Sequence, residues 1–290
     1  MTRVANYVVA YEATERGKDA VALGVALARL TAAELRIVLV LPFEVGQPAK
    51  AQPGASTYFS LLQAQGEEWL AEALAFVPSD VTATAHIVWA DSTSEGLIQA
   101  ATDFDTDRIV VGAGRGGVLG RFTIGSVANA LLHASPVPVA LAPAGYVAPE
   151  RISRITCAVG TRKGWDTLLD SMVAISEGLD VDLRFVTLVE VDASRKDLEK
   201  EAGAIGAEHL AEVLDYFTPK ATNSGSVTTE IAAGTSLEGA VDVIDWRSDE
   251  IALVGSSRLA QRGRIFLGTT ASRMLHALPV PLIVVPFEKG

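Results

Sequence analysis

The chain is poor in cysteine, histidine and basic charge, and each shortage excludes something. A single cysteine, Cys157, among 290 residues rules out an intrachain disulfide, which suits a reducing compartment. Its place in the apolar run ITCAV marks it as a small core filler. Four histidines without ligand spacing offer no metal site. Lys and Arg total 24 against 35 Asp and Glu, for a net charge of −11. A phosphate backbone needs a basic face, so nucleic acid is not an expected partner. No apolar run reaches the roughly 18 residues of a membrane span, so no membrane partner is expected. The opening MTRVANYVVAYEATERGK lacks the long apolar centre and cleavage site of a signal peptide. It reads as a first strand, and a cytoplasmic location is expected. Also missing are a G-x-S-x-G elbow, a positioned Cys–His pair and paired carboxylates on one rim.

What is present is a repeat. Gly112 and Gly255 lie 143 positions apart, as do Arg115 and Arg258, Gly125 and Gly268, His133 and His276, Pro138 and Pro281, and Pro143 and Pro286. Glu95-Gly96 and Glu238-Gly239 keep that offset. Nearer each start the offset becomes 148, as Leu35-Arg36 and Leu183-Arg184 show, so the second copy has lost five residues. Two copies of one domain are expected, near 1–145 and 150–290, joined through AGYVAPE.

Strands and helices alternate within each copy. The first copy reads as strand VANYVVAY, helix KDAVALGVALARL, strand ELRIVLVL, a Pro-rich loop over 42–56, helix LLQAQGEEWLAEALAFV, strand VTATAHIVW, helix SEGLIQAATDF and strand DRIVVGA. A helix over 126–133 and a last strand VPVALAP complete it. The second copy reads likewise: RITCAV, a helix from about Trp165, DLRFVTLVEV, a helix from about Lys196 to Phe217, SVTTEIAA, LEGAVDVIDW, EIALVGS, ASRMLHA and PLIVVP. Near-continuous apolar strands between helices imply two five-stranded parallel, doubly wound, Rossmann-like α/β sheets with helices on both faces. Ligands on such sheets lie beyond the carboxyl ends of the strands, at the switch point. Tyr11-Glu12 and, in the second copy, Val159-Gly160 end on that rim.

The same rim carries Ile109 to Ser126, IVVGAGRGGVLGRFTIGS, echoed over Ala252 to Thr269 as ALVGSSRLAQRGRIFLGT. In each an apolar run ends in Gly (Gly112, Gly255), a small and basic loop follows, and Gly125-Ser126 or Gly268-Thr269 opens a helix. Free N–H groups and the positive end of a helix favour an anion, so phosphate is the first expectation. The GAGRGG at Gly112, Gly114 and Gly117 is not a dinucleotide fingerprint. It follows the fourth strand instead of the first, lacks the downstream acid, and is lost in the echo. No Gly-Lys-Ser/Thr makes a P-loop either.

The shared pattern is G-x-x-R-x9-G-[S/T]. With its position, its duplication and the blocks SPVPVALAP and LPVPLIVVP, the chain resembles the tandem form of the universal stress protein family. The resemblance implies a five-stranded parallel sheet. Many members carry G-x-x-G-x9-G-[S/T] after strand four, holding ATP phosphates and ribose, with an Asp at the end of strand one contacting the nucleoside. Carried over, it nominates Glu12, Gly112, Arg115, Gly125 and Ser126 in the first copy and Gly255, Arg258, Gly268 and Thr269 in the second. The ligand implied is ATP or a related adenine nucleotide, with no metal beyond a nucleotide-bound Mg. An intramolecular pseudo-dimer through the last strands, and a homo-oligomer of whole chains, are implied as well.

The departures matter. Arg115 and Arg258 replace the motif's second glycine. Either their side chains obstruct the phosphate pocket, or their guanidinium groups fork onto phosphate oxygens. The strand-one Asp is Glu12 in the first copy and Gly160 in the second, so nucleotide is expected mainly in the N-terminal domain. A scaffold with both pockets closed is the alternative function, and a weak ATPase is the most catalysis expected. Plainer roles stand beside these: solvated loop charges for Arg115, Arg258 and Glu12, helix caps for Ser126 and Thr269, and helix C-termini for His133 and His276. Trp69, Trp89, Trp165 and Trp246 read as packing, and SRKDLEKE as a solvated helix face.

Overall fold

A computed structural model describes residues 3–43, 55–115, 122–161, 164–191, 196–222, 225–257 and 264–286. In chain order the first half runs β1 (Asn6–Ala10), α1 (Glu15–Thr31), β2 (Glu34–Pro42), α2 (Ala55–Ala75), β3 (Ala83–Ala90), α3 (Thr93–Asp103) and β4 (Arg108–Gly112). Two-residue strands β5 (Gly114–Arg115) and β6 (Phe122–Thr123) follow, then α4 (Ser126–Ala134) and β7 (Val139–Ala142). The second half runs β8 (Arg154–Ala158), α5 (Trp165–Ser176), β9 (Asp182–Glu190), α6 (Lys196–Phe217), β10 (Val227–Gly234), α7 (Leu237–Asp242), β11 (Glu250–Gly255), α8 (Thr269–Ala277) and β12 (Leu282–Val285). The chain divides into two compact units. One is built on the segments up to Gly114, Ile124–Leu131 and Val139–Ala148, the other on Arg115–Thr123, Leu132–Pro138 and the chain from Pro149 onward. Among the described residues no helix is long and apolar enough to cross a membrane.

In the first unit the strand order is β3-β2-β1-β4-β7, every neighbour parallel. The second repeats it as β10-β9-β8-β11-β12. Val8, Val9, Leu35, Ile37, Ile109 and Val110 are all buried, because helices cover both faces of a parallel sheet and leave no wet side. Right-handed crossovers put α1 and α2 on one face, and α3 and α4 on the other. The order reverses between β1 and β4, so a crevice opens where their carboxyl ends part.

Local departures from the sequence expectation have local causes. The helix expected over LEGAVDVIDW stops at Asp242. Beyond it the Trp246 indole N–H turns back to donate to the Val241 carbonyl at 3.0 Å, ending the helix. Helix α2 begins at Ala55, several residues earlier than periodicity suggests. Inside the loop after β4, β5 and β6 pair as a separate two-stranded ladder.

The second unit holds a buried ion network. Glu250, at the start of β11, is wholly buried; Arg184 reaches it at 2.8 Å, and Arg154 and Thr156 also donate to it. The Arg247 N–H adds a bond at 3.0 Å, and Arg184 lies 5.3 Å over the Trp246 ring. The matching residue of the first unit, Arg36, makes a partly exposed pair with Glu34 at 2.9 Å. Nearer the rim, Arg273 of α8 bridges Glu238 at 2.7 Å and Glu190 at 3.3 Å.

Three outcomes follow from this packing. Glu250→Ala takes from the buried Arg154 its carboxylate partner and leaves Arg184 only Glu230, at 2.8 Å, so urea unfolding should register a loss of about 3–5 kcal/mol. Glu34→Ala should lose less than about 1 kcal/mol, and equal losses would contradict the contrast. Burial pushes the Cys157 thiol up, so a thiol reagent should label it only on unfolding; rapid labelling of the native chain would contradict its core position. The hydrogen bond from Arg273, aided by the backbone of α7, lowers the Glu238 carboxyl from 4.5 to about 2. A depressed carboxylate stabilises the fold above its ordinary value, and that contribution disappears as pH falls through the depressed one. A carbon-13 NMR pH series should therefore find Glu238 ionised until about pH 2, whereas titration near 4.5 would mean that the bridge does not hold.

Candidate functional site

The crevice of the first unit is built by close backbone approach. Strand β1 hands over to Tyr11, whose N–H continues the ladder to the Val38 carbonyl at 2.9 Å. Glu12 then turns the chain, its carbonyl accepting from the Thr14 N–H at 2.7 Å. Thr14 caps α1, its hydroxyl accepting from the Gly17 N–H. Gly17 sits against the Glu12 backbone, where a Cβ would collide with the Glu12 carbonyl oxygen. The first turn of α1 therefore rests directly on the end of β1. It also rests on β4: a Cβ on Gly112 would strike the Arg16 carbonyl oxygen and stand 2.8 Å from Arg16 Cγ. Only glycine admits both approaches.

These contacts leave a cleft at the carboxyl ends of β1 and β4. Ala10, Val38, Val111, Val127 and Ala128 give it apolar walls, and Glu12 and Arg16 are its charged lining groups. Helix α4 opens at Gly125, whose carbonyl accepts from the Asn129 N–H at 2.9 Å. A Cβ on Gly125 would lie 3.2 Å from Arg16 Nη1. Thr93, the first residue of α3, also lines the cleft. Ser92 caps that helix, accepting from the Glu95 N–H at 3.2 Å. Three helices thus begin on this rim, and their free N–H groups and positive ends favour an anion. Tyr11 is buried, and desolvation first, then the Glu72 charge, raises its hydroxyl above the ordinary tyrosine value.

The corresponding rim of the second unit carries different groups. Gly160 stands where Glu12 stands in the first, with nothing within 4 Å of a would-be Cβ. Trp165 takes the place of Gly17 and meets His209 of α6 edge-on at 5.6 Å. Burial lowers the His209 ring below the ordinary histidine value, despite the opposing Glu212 charge and Gly160 backbone. A Cβ on Gly255, the counterpart of Gly112, would lie 3.7 Å from the Leu168 side chain. Gly268 caps α8 in extended conformation, and a Cβ there would lie 3.2 Å from Ser257 Cβ. The bridge from Arg273 to Glu238 and Glu190 ties α8 to α7 and the end of β9; the matching positions in the first copy are Ala130, Glu95 and Pro42.

Of the positions nominated from sequence, Glu12, Gly112 and Gly125 share the first cleft. Ser126 stands exposed at its edge as the first residue of α4. Arg115 is the second residue of β5, and its side chain lies outside the described residues, as does Arg258 altogether. Gly255, Gly268 and Thr269 stand on the second rim. The sequence reading placed Tyr11 on this rim but missed Arg16, Gly17 and Thr93. A usable signal existed in ATERG, where a Thr cap and a Gly flank an arginine in the first turn of a helix starting on the ligand rim. Among the described residues, no three His, Cys, Asp or Glu side chains converge as a metal site.

A profile of the universal stress protein family matches residues 5–143. A universal stress protein of Mycobacterium tuberculosis is 26% identical over 288 residues, covering 96% of this chain and 99% of its own length; one from Mycobacterium bovis matches equally. A solved universal stress protein from Archaeoglobus fulgidus superposes over all of both chains with a TM-score of 0.67 at 18% identity. A putative universal stress protein from Pseudomonas aeruginosa gives 0.57 at 16% identity, covering 98% of this chain and 93% of its own. These two likenesses speak to the fold. Residues 5–143 thus belong to the universal stress protein family, and the second half repeats their strand order.

Proposed function

We propose that this chain is a cytoplasmic stress-response protein whose first unit binds ATP or a related adenine nucleotide as a regulatory ligand. The observation that carries the reading is the single cleft gathering Glu12, Gly112 and Gly125 beneath three helix N-termini. The chemistry of the cleft suits such a ligand. Apolar Val38, Val127 and Ala128 offer a surface for a base. A carboxylate at Glu12 accepts hydrogen bonds from ribose hydroxyls or base N–H groups. The start of α4 at Gly125-Ser126 presents N–H donors to phosphate oxygens, and a magnesium ion would travel with the nucleotide. The bound state would bias a conformation or an assembly, including association of whole chains, and no catalytic base is assigned.

The alternative of a scaffold finds its support in the second unit. There the carboxylate is absent, and Trp165, His209 and Leu168 occupy the rim. Within the present reading that unit is structural, and Gly255, Gly268 and Thr269 keep the motif without the ligand.

Calorimetry with ATP separates the two. The proposal predicts saturable binding at one nucleotide per chain. Glu12→Ala should weaken it roughly ten-fold or more, as expected when a charged hydrogen-bond acceptor is removed. Thr269→Ala should change it little. No binding up to millimolar ATP, or equal sensitivity at both rims, would contradict the proposal and leave the scaffold.

A further inference from the structure

The proposed site contains a residue that no motif nominates. Arg16 lies in the first turn of α1, with its stem over Gly112 and its guanidinium reaching Gly125, where α4 begins. Among the described residues no carboxylate pairs with this guanidinium and no hydrogen bond holds it. Several other arginines do find carboxylates, Arg29 with Asp80, Arg151 with Asp180, and Arg273 with Glu238 and Glu190, while Arg108 rests over the Tyr7 ring. Glu12 lines the same cleft, yet no ion pair joins it to Arg16. The acid and the base are therefore kept apart as two separate recognition groups.

The placement of Arg16 is also electrostatically one-sided. A cation beside a helix N-terminus meets the positive end of the helix dipole, which is unfavourable by the same rule that favours anions there. An anion between the guanidinium and the first N–H groups of α4 would satisfy both at once. Arginine suits the task, since its planar fork matches two phosphate oxygens. Resting on the nucleotide reading above, we infer that Arg16 is the charge-selecting residue of the cleft. It takes the phosphate chain of the ligand against the start of α4, so the protein discriminates by phosphate charge and not by the nucleoside alone. The guanidinium comes from α1 at the switch point, independently of Arg115 in the loop.

The test measures dissociation constants of four probes, ATP, AMP, adenosine and inorganic tripolyphosphate, for the wild-type chain and for Arg16→Ala and Arg16→Lys. Arg16 is exposed, so both variants should fold, which circular dichroism checks. Arg16→Ala should weaken ATP and tripolyphosphate roughly ten- to hundred-fold, the range of a charged hydrogen bond. Adenosine should change by less than about two-fold, because it carries no group for the guanidinium. Arg16→Lys should restore part of the loss, as a point charge does without the fork. Raised salt should shrink the wild-type preference for ATP over AMP. Equal weakening of ATP and adenosine, or no change in either, would overturn the assignment of Arg16. If wild-type protein binds tripolyphosphate through Arg16 but takes neither ATP nor adenosine better, the anion subsite stands and the adenine reading falls. If it takes none of the four, both fall.

Discussion

The contact between the first turn of α1 and the glycine that ends β4 governs the first unit. Parallel strands in this order end on one rim, and the helices that follow them begin there. What remains variable is how closely each helix start approaches the neighbouring strand. Gly17 and Gly112 remove the two Cβ atoms that would hold α1 away. Once α1 is seated, Arg16 is carried over to Gly125, and Glu12 lines the same cleft. Polarity, charge separation and shape of the cleft all descend from that seating. A larger residue at either glycine would lift the helix start, and the acid, the base and the start of α4 would lose their common cleft.

The second unit has the same strand order with a different distribution of polar and aromatic groups. Its rim exchanges a carboxylate for Gly160 and a helix glycine for Trp165, which packs on His209. At the other end of its strands, Glu250 lies between Arg154 and Arg184; in the first unit Asp107 holds that position and pairs with the exposed Arg3, and Glu34 pairs with the half-exposed Arg36. One frame therefore does two physical jobs. In the first unit Glu12 and Arg16 line the cleft at the strand ends with no ion pair between them. In the second, charge is paired and buried, or clamped between helices by Arg273. Pairing of this sort fixes geometry more than it adds stability, since removing charges from water offsets most of their attraction.

The repeat made the fold legible. Once two offsets aligned the halves, every strand could be read twice, and buried parallel strands advertise themselves as continuous apolar runs. Helix ends were harder to read, because the end of α7 depends on an indole folding back from Trp246 to Val241, a contact without periodic signature. Glu12, Gly112 and Gly125 were legible as rim residues, since a strand end and a helix start are local features. Arg16 was not, because its importance arises from a tertiary approach between residues nearly a hundred positions apart. The make-up of the second rim was legible only in part: the loss of a carboxylate at Gly160 is visible in sequence, but the partnership of Trp165 with His209 comes from the packing of α5 on α6.

The central claim is that one of two similar rims is the ligand site. Amide chemical-shift mapping by NMR during an ATP titration tests it most directly, since each rim has its own reporters. The account predicts saturable shifts at the amides of Glu12, Gly17, Gly112, Gly125 and Ser126, with Gly160, Gly255, Gly268 and Thr269 unmoved. Shifts centred on the second set, or none at either rim, would contradict it.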